Sequence, residues 1–154
     1  MDDNAESRNS VTEKHTVSLL KECANGCQMA ISGVKQIRKF VTDEKLNDLL
    51  EAYGEKHKGF EKETVVQLGK HGATEDSPNK IAEISAWMSV EIGMLTHPDN
   101  HEAAKKMMDG CNMGIQSLSK YVNQYEDADE DAKNIAERII KIEEDLMEEM
   151  KQFI

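Results

Sequence analysis

Apolar residues recur at steps of three and four along almost the whole of this 154-residue chain. That spacing collects them on one face of an α-helix, whereas a half-buried strand would alternate. The first stripe reads Leu19, Leu20, Cys23, Cys27, Ala30, Val34, Ile37 and Val41, and Thr42-Asp43 ends it. The second reads Leu46, Leu49, Leu50, Tyr53, His57, Phe60, Thr64 and Leu68. It closes at Gly69, with Gly72 suited to a left-handed cap. After a loop-like stretch from His71 to Lys80, a shorter amphipathic segment carries Ile81, Ile84, Trp87, Met88, Ile92 and Leu95. Thr96 to Asn100 breaks it, because the residue before Pro98 avoids the helical region. A further stripe holds Ala104, Met107, Met108, Cys111, Ile115, Leu118, Val122 and Tyr125. The last holds Ala132, Ile135, Ala136, Ile139, Ile142, Leu146, Met150 and Phe153.

The pattern predicts an all-α bundle of four long helices, with one short helix between the second and third. Tight turns make each long pair an antiparallel hairpin. The connection between the hairpins, about thirty residues, is long enough to cross along the bundle. Only 2 prolines and 5% aromatics argue further against an all-β domain. Residues 1–10 are polar and read as a disordered tail, with Ser10 or Thr12 capping the first helix of a single domain over 11–154.

Acidic residues outnumber basic ones by 30 to 19, for a net charge of −11. Nucleic acid and anionic membrane surfaces are repelled by such a chain. No apolar run approaches the ~18 residues of a membrane span, and the start lacks the basic and apolar regions of a signal peptide. A cytoplasmic location follows as an expectation. There the three cysteines are buried small hydrophobes, metal ligands or redox groups, not a disulfide framework.

The two halves repeat. Gly26-Cys27-Gln28-Met29-Ala30-Ile31 matches Gly110-Cys111-Asn112-Met113-Gly114-Ile115, 84 positions later. Tyr53–Phe60 matches Ile139–Leu146 at a displacement of 86. Such a chain is a duplicated helical hairpin.

With these residues in place, the chain resembles the ferritin-like superfamily, above all rubrerythrin-type and small bacterial ferritin-like domains. The resemblance spans roughly Val11 to Ile154. It implies a ferritin-like four-helix bundle of two helical hairpins joined by a crossover containing the short helix. In di-iron members of that superfamily, a Glu follows the Gly on each hairpin's first helix, and a Glu-x-x-His lies on its second. Carried onto this sequence, those positions are Cys27 and Cys111, His57 with Phe60, and Glu143 with Leu146. Only Glu143 keeps the ligand type, so the hard-oxygen set of a di-iron oxidase is missing.

The resemblance implies instead a non-standard core site of Cys27, His57, Cys111 and Glu143, with Cys23 one turn before Cys27. Two thiolates, an imidazole and a carboxylate suit tetrahedral Zn²⁺. Cys23, Cys27, Met107 and Cys111 form a softer set suited to Cu(I), and Fe completes the candidate metals. The role implied is metal binding in storage, sensing or trafficking. The main alternative is a metal-free scaffold or interaction module, dimerising through the crossover helix around Trp87, Met88, Ile92 and Leu95. A Cys27–Cys111 redox dithiol and a metal-dependent enzyme stand behind these.

Met29 and Met113, two positions on from their cysteines, are expected to point elsewhere. His15 and His71 read as exposed, His97 and His101 as part of a solvated cap. The acidic run from Glu143 to Glu149 reads as a solvated face. Gly33, Gly54, Gly59, Gly93 and Gly114, inside helical patterns, imply close helix approach, and Gly54 and Gly59 leave space around His57.

Overall fold

The computed structural model describes residues 2–76, 78–93, 95 and 98–154, and for Asp2, Pro78, Ile81 and Trp87 the backbone alone. These residues form five α-helices and two single 3₁₀ turns. Helix α1 runs Asp2–Ile37, α2 Glu44–Lys70, α3 Pro78–Gly93, α4 Asn100–Gln124 and α5 Glu130–Met150. The two hairpins, α1–α2 and α4–α5, and the short helix between them follow the sequence reading.

One boundary differs. In place of a disordered tail and a Ser10 or Thr12 cap, α1 is helical from Asp2, and residues 3–10 lie exposed on its first turns. No Gly or Pro interrupts the chain before Gly26. A helix nucleated by its packed face therefore propagates back at little cost.

The other starts are set by aspartates. Asp43, Asp99 and Asp129 each accept, through a carboxylate oxygen, the backbone N–H three residues on, all at 2.8 Å. Each satisfies one of the orphan donors at a helix start and complements its dipole. Helix α2 ends as expected. Gly72 sits at φ +67°, and the Ala73 N–H reaches back to the Leu68 carbonyl at 2.9 Å.

Two hydrogen bonds fix how the hairpins lie together. The Asp129 N–H donates to Thr16 Oγ1 at 2.8 Å, and the Thr42 N–H donates to Asn100 Oδ1 at 2.8 Å. The start of α1 is thus joined to the far end of α4, and the end of α1 to its beginning, so the two helices are antiparallel. Arg138 on α5 meets Glu63 on α2, and Lys45 Nζ meets Gln152 at 2.6 Å, so α2 and α5 are antiparallel as well.

The core falls into two clusters. One gathers Ile37, Leu46, Leu50, Met107, Cys111 and Met150; the other gathers Leu19, Leu20, Cys23, Cys27, Leu68 and Ile135. Helix α3 packs on α1 near Gly33, where Met88 lies 3.5 Å from a Cβ placed on the glycine. Met88, Ile92 and Leu95 are turned into the first cluster. Part of the apolar surface expected to serve dimerisation through α3 is thus taken up within the chain, Val90 of the same helix is exposed, and the Trp87 side chain lies outside the described residues. Of the five glycines singled out inside the helical patterns, Gly33, Gly54 and Gly114 meet neighbours at 3.5 Å, whereas Gly59 and Gly93 face open space.

Candidate functional site

Between the two apolar clusters lies a buried polar group. His57 is fully buried and Glu143 is 4% exposed. Tyr53 Oη donates to both Glu143 oxygens, at 2.9 and 2.8 Å. His57 Nδ1 lies 2.9 Å from the Tyr53 carbonyl, and Nε2 lies 2.7 Å from Glu143 Oε1. A carbonyl oxygen only accepts, so Nδ1 carries a proton. Nε2 and Oε1 then share one more, as imidazolium with carboxylate or as imidazole with carboxylic acid. In either form the pair is neutral overall, which is how a bundle core tolerates it.

Cys111 on α4 lies beside Glu143 and Tyr53. Burial first and Glu143 second hold the Cys111 thiol and the Tyr53 phenol well above their ordinary values. Cys27 on α1 is held up by burial, then by Cys23, Glu61 and Glu143. Cys23 is pushed from 9.0 up to about 12 by burial and by Glu22. All three cysteines are free, buried thiols.

The predicted residues thus come together unevenly, and the reason is register. Between its anchors at Glu63–Arg138 and Lys45–Gln152, the antiparallel α2–α5 pair sets His57 level with Glu143. Residues equivalent in the repeat therefore meet. Between Thr16–Asp129 and Thr42–Asn100, the level pair on α1 and α4 is instead Ala30 with Gly114. Cys27 and Cys111 lie on opposite sides of that level, about 9 Å apart along the bundle axis at 1.5 Å per residue. They also belong to different clusters of the core. A disulfide between them therefore needs backbone movement. Cys23 lies one turn further out.

Among the described residues, no group of three or more His, Cys, Asp and Glu is arranged to hold a metal ion. His57 has both nitrogens engaged. A tetrahedral ion bound by Nε2 and Oε1 at about 2.0–2.2 Å from each would part them well beyond the observed 2.7 Å.

The register has a second consequence. At the level of His57 and Glu143, the facing residues of α1 and α4 are small. A Cβ placed on Gly114 would meet the Glu143 carboxyl carbon at 3.5 Å. A cleft of about 210 Å³ therefore opens between α1 and α4 and reaches Tyr53 and Glu143. Its walls follow the repeat. Every α1 residue that lines it is matched by the residue 84 positions later on α4: Glu22 by Lys106, Asn25 by Asp109, Gly26 by Gly110, Met29 by Met113, Ala30 by Gly114, Gly33 by Ser117, Ile37 by Tyr121. Because the helices are antiparallel, the members of each pair stand on either side of the centre.

Met29 and Met113, set aside on sequence, are cleft walls. The signal that finds them is the small-residue spacing Gly26, Ala30, Gly33, repeated in Gly110, Gly114, Ser117. It is one helical face away from the cysteines. Glu143 belongs to this floor and not to a solvated face.

The remaining histidines differ in part from expectation. His71, 19% exposed in its side chain, binds Glu13 at 2.8 Å and approaches Asp129 at 3.5 Å. His15 Nδ1 accepts from the Asp127 N–H at 3.1 Å. They tie α1 to the segments that follow α2 and α4, where sequence left both histidines in solvent. His101 is exposed, and His97 lies outside the described residues. No helix among the described residues is long and apolar enough to cross a membrane.

No protein-family model matches the chain, and no curated protein sequence does. Among solved structures it is similar to the crystal structure of Dps92 from Deinococcus radiodurans. The identity is 17%, over 92% of this chain and 87% of that one, with a TM-score of 0.73. At that identity the likeness is one of fold, and the fold is the ferritin-like helical bundle.

Proposed function

We propose that this chain is a small-molecule binding protein, whose working element is the cleft between α1 and α4. The observation that carries this reading is that a cleft of about 210 Å³ reaches a buried carboxylate, Glu143, through walls of Gly, Ala and Met. An apolar cavity of about 150 Å³ is enough to bind benzene. Methionine walls adapt to irregular apolar shapes, and a few fixed polar groups on the floor orient what enters. Here the floor offers the Tyr53 hydroxyl and a Glu143 oxygen.

The test is to fill the cleft without disturbing the fold. Cβ atoms on Gly26 and Gly110 meet nothing within 4 Å, so leucines there have room to enter the space. Wild type should bind the uncharged dye N-phenyl-1-naphthylamine with a saturable rise in fluorescence, and Gly26→Leu/Gly110→Leu should not, with melting temperature retained. Equal binding by the two proteins, or none by wild type, overturns the reading.

A second reading is a non-standard metal site, with Zn, Cu or Fe held by Cys27, His57, Cys111 and Glu143 and by Cys23 nearby. Its support is that Cys111 and His57 both contact Glu143 and that Cys27 feels its charge. An ion there displaces the proton shared by His57 and Glu143 and deprotonates thiols that burial holds protonated, so its affinity is strongly pH-dependent. Metal per chain, measured by mass spectrometry after anaerobic purification and reconstitution, should be near one for wild type and near zero for Cys27→Ser/Cys111→Ser. No metal in wild type removes this reading.

A further inference from the structure

We propose that the ligand of the cleft is a linear aliphatic polyamine, lying along the groove with an ammonium group at each end. This rests on the cleft reading and adds the chemistry of the occupant.

The argument begins with where the charges fall. Glu22 marks one end of the cleft, beside Tyr121, whose phenol it pushes up. Asp109 lies towards the other end, where Lys106 is already bound by Glu91 at 3.1 Å. With α1 and α4 antiparallel, Glu22 and Asp109 are separated by about 20 Å along the axis at 1.5 Å per residue. Between them the walls are apolar or small apart from Asn25, whose amide donates to Asp76 at 2.8 Å, and the His57–Glu143 pair beneath is neutral overall. The groove is therefore long and apolar in the middle, with a carboxylate towards each end.

An anion is excluded by those ends and by the net charge of −11. A compact cation engages one end only. A chain of methylenes with terminal ammonium groups matches both the apolar middle and the two ends, and Met29 and Met113 fit against a flexible chain. The Glu22 carboxyl supports this placement. Burial, and then Asp76, raise it, with Lys80 acting the other way, so a bound ammonium relieves a cost already present in the fold.

Calorimetric titration of the full chain tests the assignment with four probes: putrescine, decamethylenediamine, spermine and the monoamine decylamine. Decamethylenediamine and spermine should bind at least tenfold more tightly than putrescine or decylamine. Glu22→Gln and Asp109→Asn should each weaken them by roughly three- to tenfold. Gly26→Leu/Gly110→Leu should abolish binding.

Decylamine binding as tightly as the diamine overturns the polyamine assignment and leaves the cleft reading standing. Equal binding of all the polycations, unaffected by the leucine variant, shows attraction to the acidic surface alone and also overturns it. Failure of every probe in a protein that still binds the dye removes the polyamine. Failure of every probe and of the dye removes the cleft reading with it.

Discussion

A single proton organises the middle of this bundle. His57 Nδ1 is committed to the Tyr53 carbonyl, so whatever happens at Nε2 is decided with Glu143. Removing one partner strands the other in a dry core. Glu143→Ala or His57→Ala should each cost about 3–5 kcal/mol in urea unfolding, whereas an apolar replacement of both should cost much less. The thiols give a pH signature. Unfolded chains release thiol protons from about pH 9 upward, while Cys23 keeps its proton to about 12. Between those values the unfolded state holds fewer protons than the folded one, so stability falls as pH rises. The urea midpoint should drop from pH 9 towards 11, and less steeply in Cys23→Ala. At this scale the sequence was half legible. The repeat marked Cys27, His57, Cys111 and Glu143 as equivalent positions. Which equivalents meet depends on where each antiparallel pair comes level, and that is set by distant anchors such as Thr16–Asp129. Identical helical spacing fits a register several residues either way.

The helices themselves were legible wherever a packed stripe met a strong end signal. Asp43 and the Gly69–Gly72 stretch were read correctly because capping chemistry is local. The start of α1 was not, since an unpacked polar helix carries no stripe and Asp2 to Ser10 contain no breaker. The cleft face was missed for a related reason. Gly and Ala add nothing to an apolar count, yet their absence of bulk creates the opening. Two substitutions probe this level. Asp129 caps α5 and its own N–H is held by Thr16, so Asp129→Ala should lower stability by about 1–2 kcal/mol through the lost cap. Gly26 is helical with open space where a side chain would go, so Gly26→Ala should raise stability by about 0.5–1 kcal/mol in the same unfolding assay.

Over the whole molecule, 30 acidic residues against 19 basic ones make the folded state self-repelling. Screening should relieve it, since charges further apart than a Debye length of about 10 Å at 0.1 M cease to interact. The melting temperature at pH 7 should therefore rise as sodium chloride is raised from low to moderate concentration, and a flat response would count against this balance. The duplicated hairpin has one further consequence. On α1 and α4 the walls of the cleft correspond when read from either end, but Glu22 answers to Lys106, and Met88, Glu91 and Ile92 of α3 line it with no counterpart. A guest whose two ends differ therefore finds two related but unequal seats, one turned head for tail from the other. Its bound form should give a major and a minor set of resonances by NMR, with a ratio that shifts when Lys106 is neutralised, whereas a symmetrical guest should give a single set.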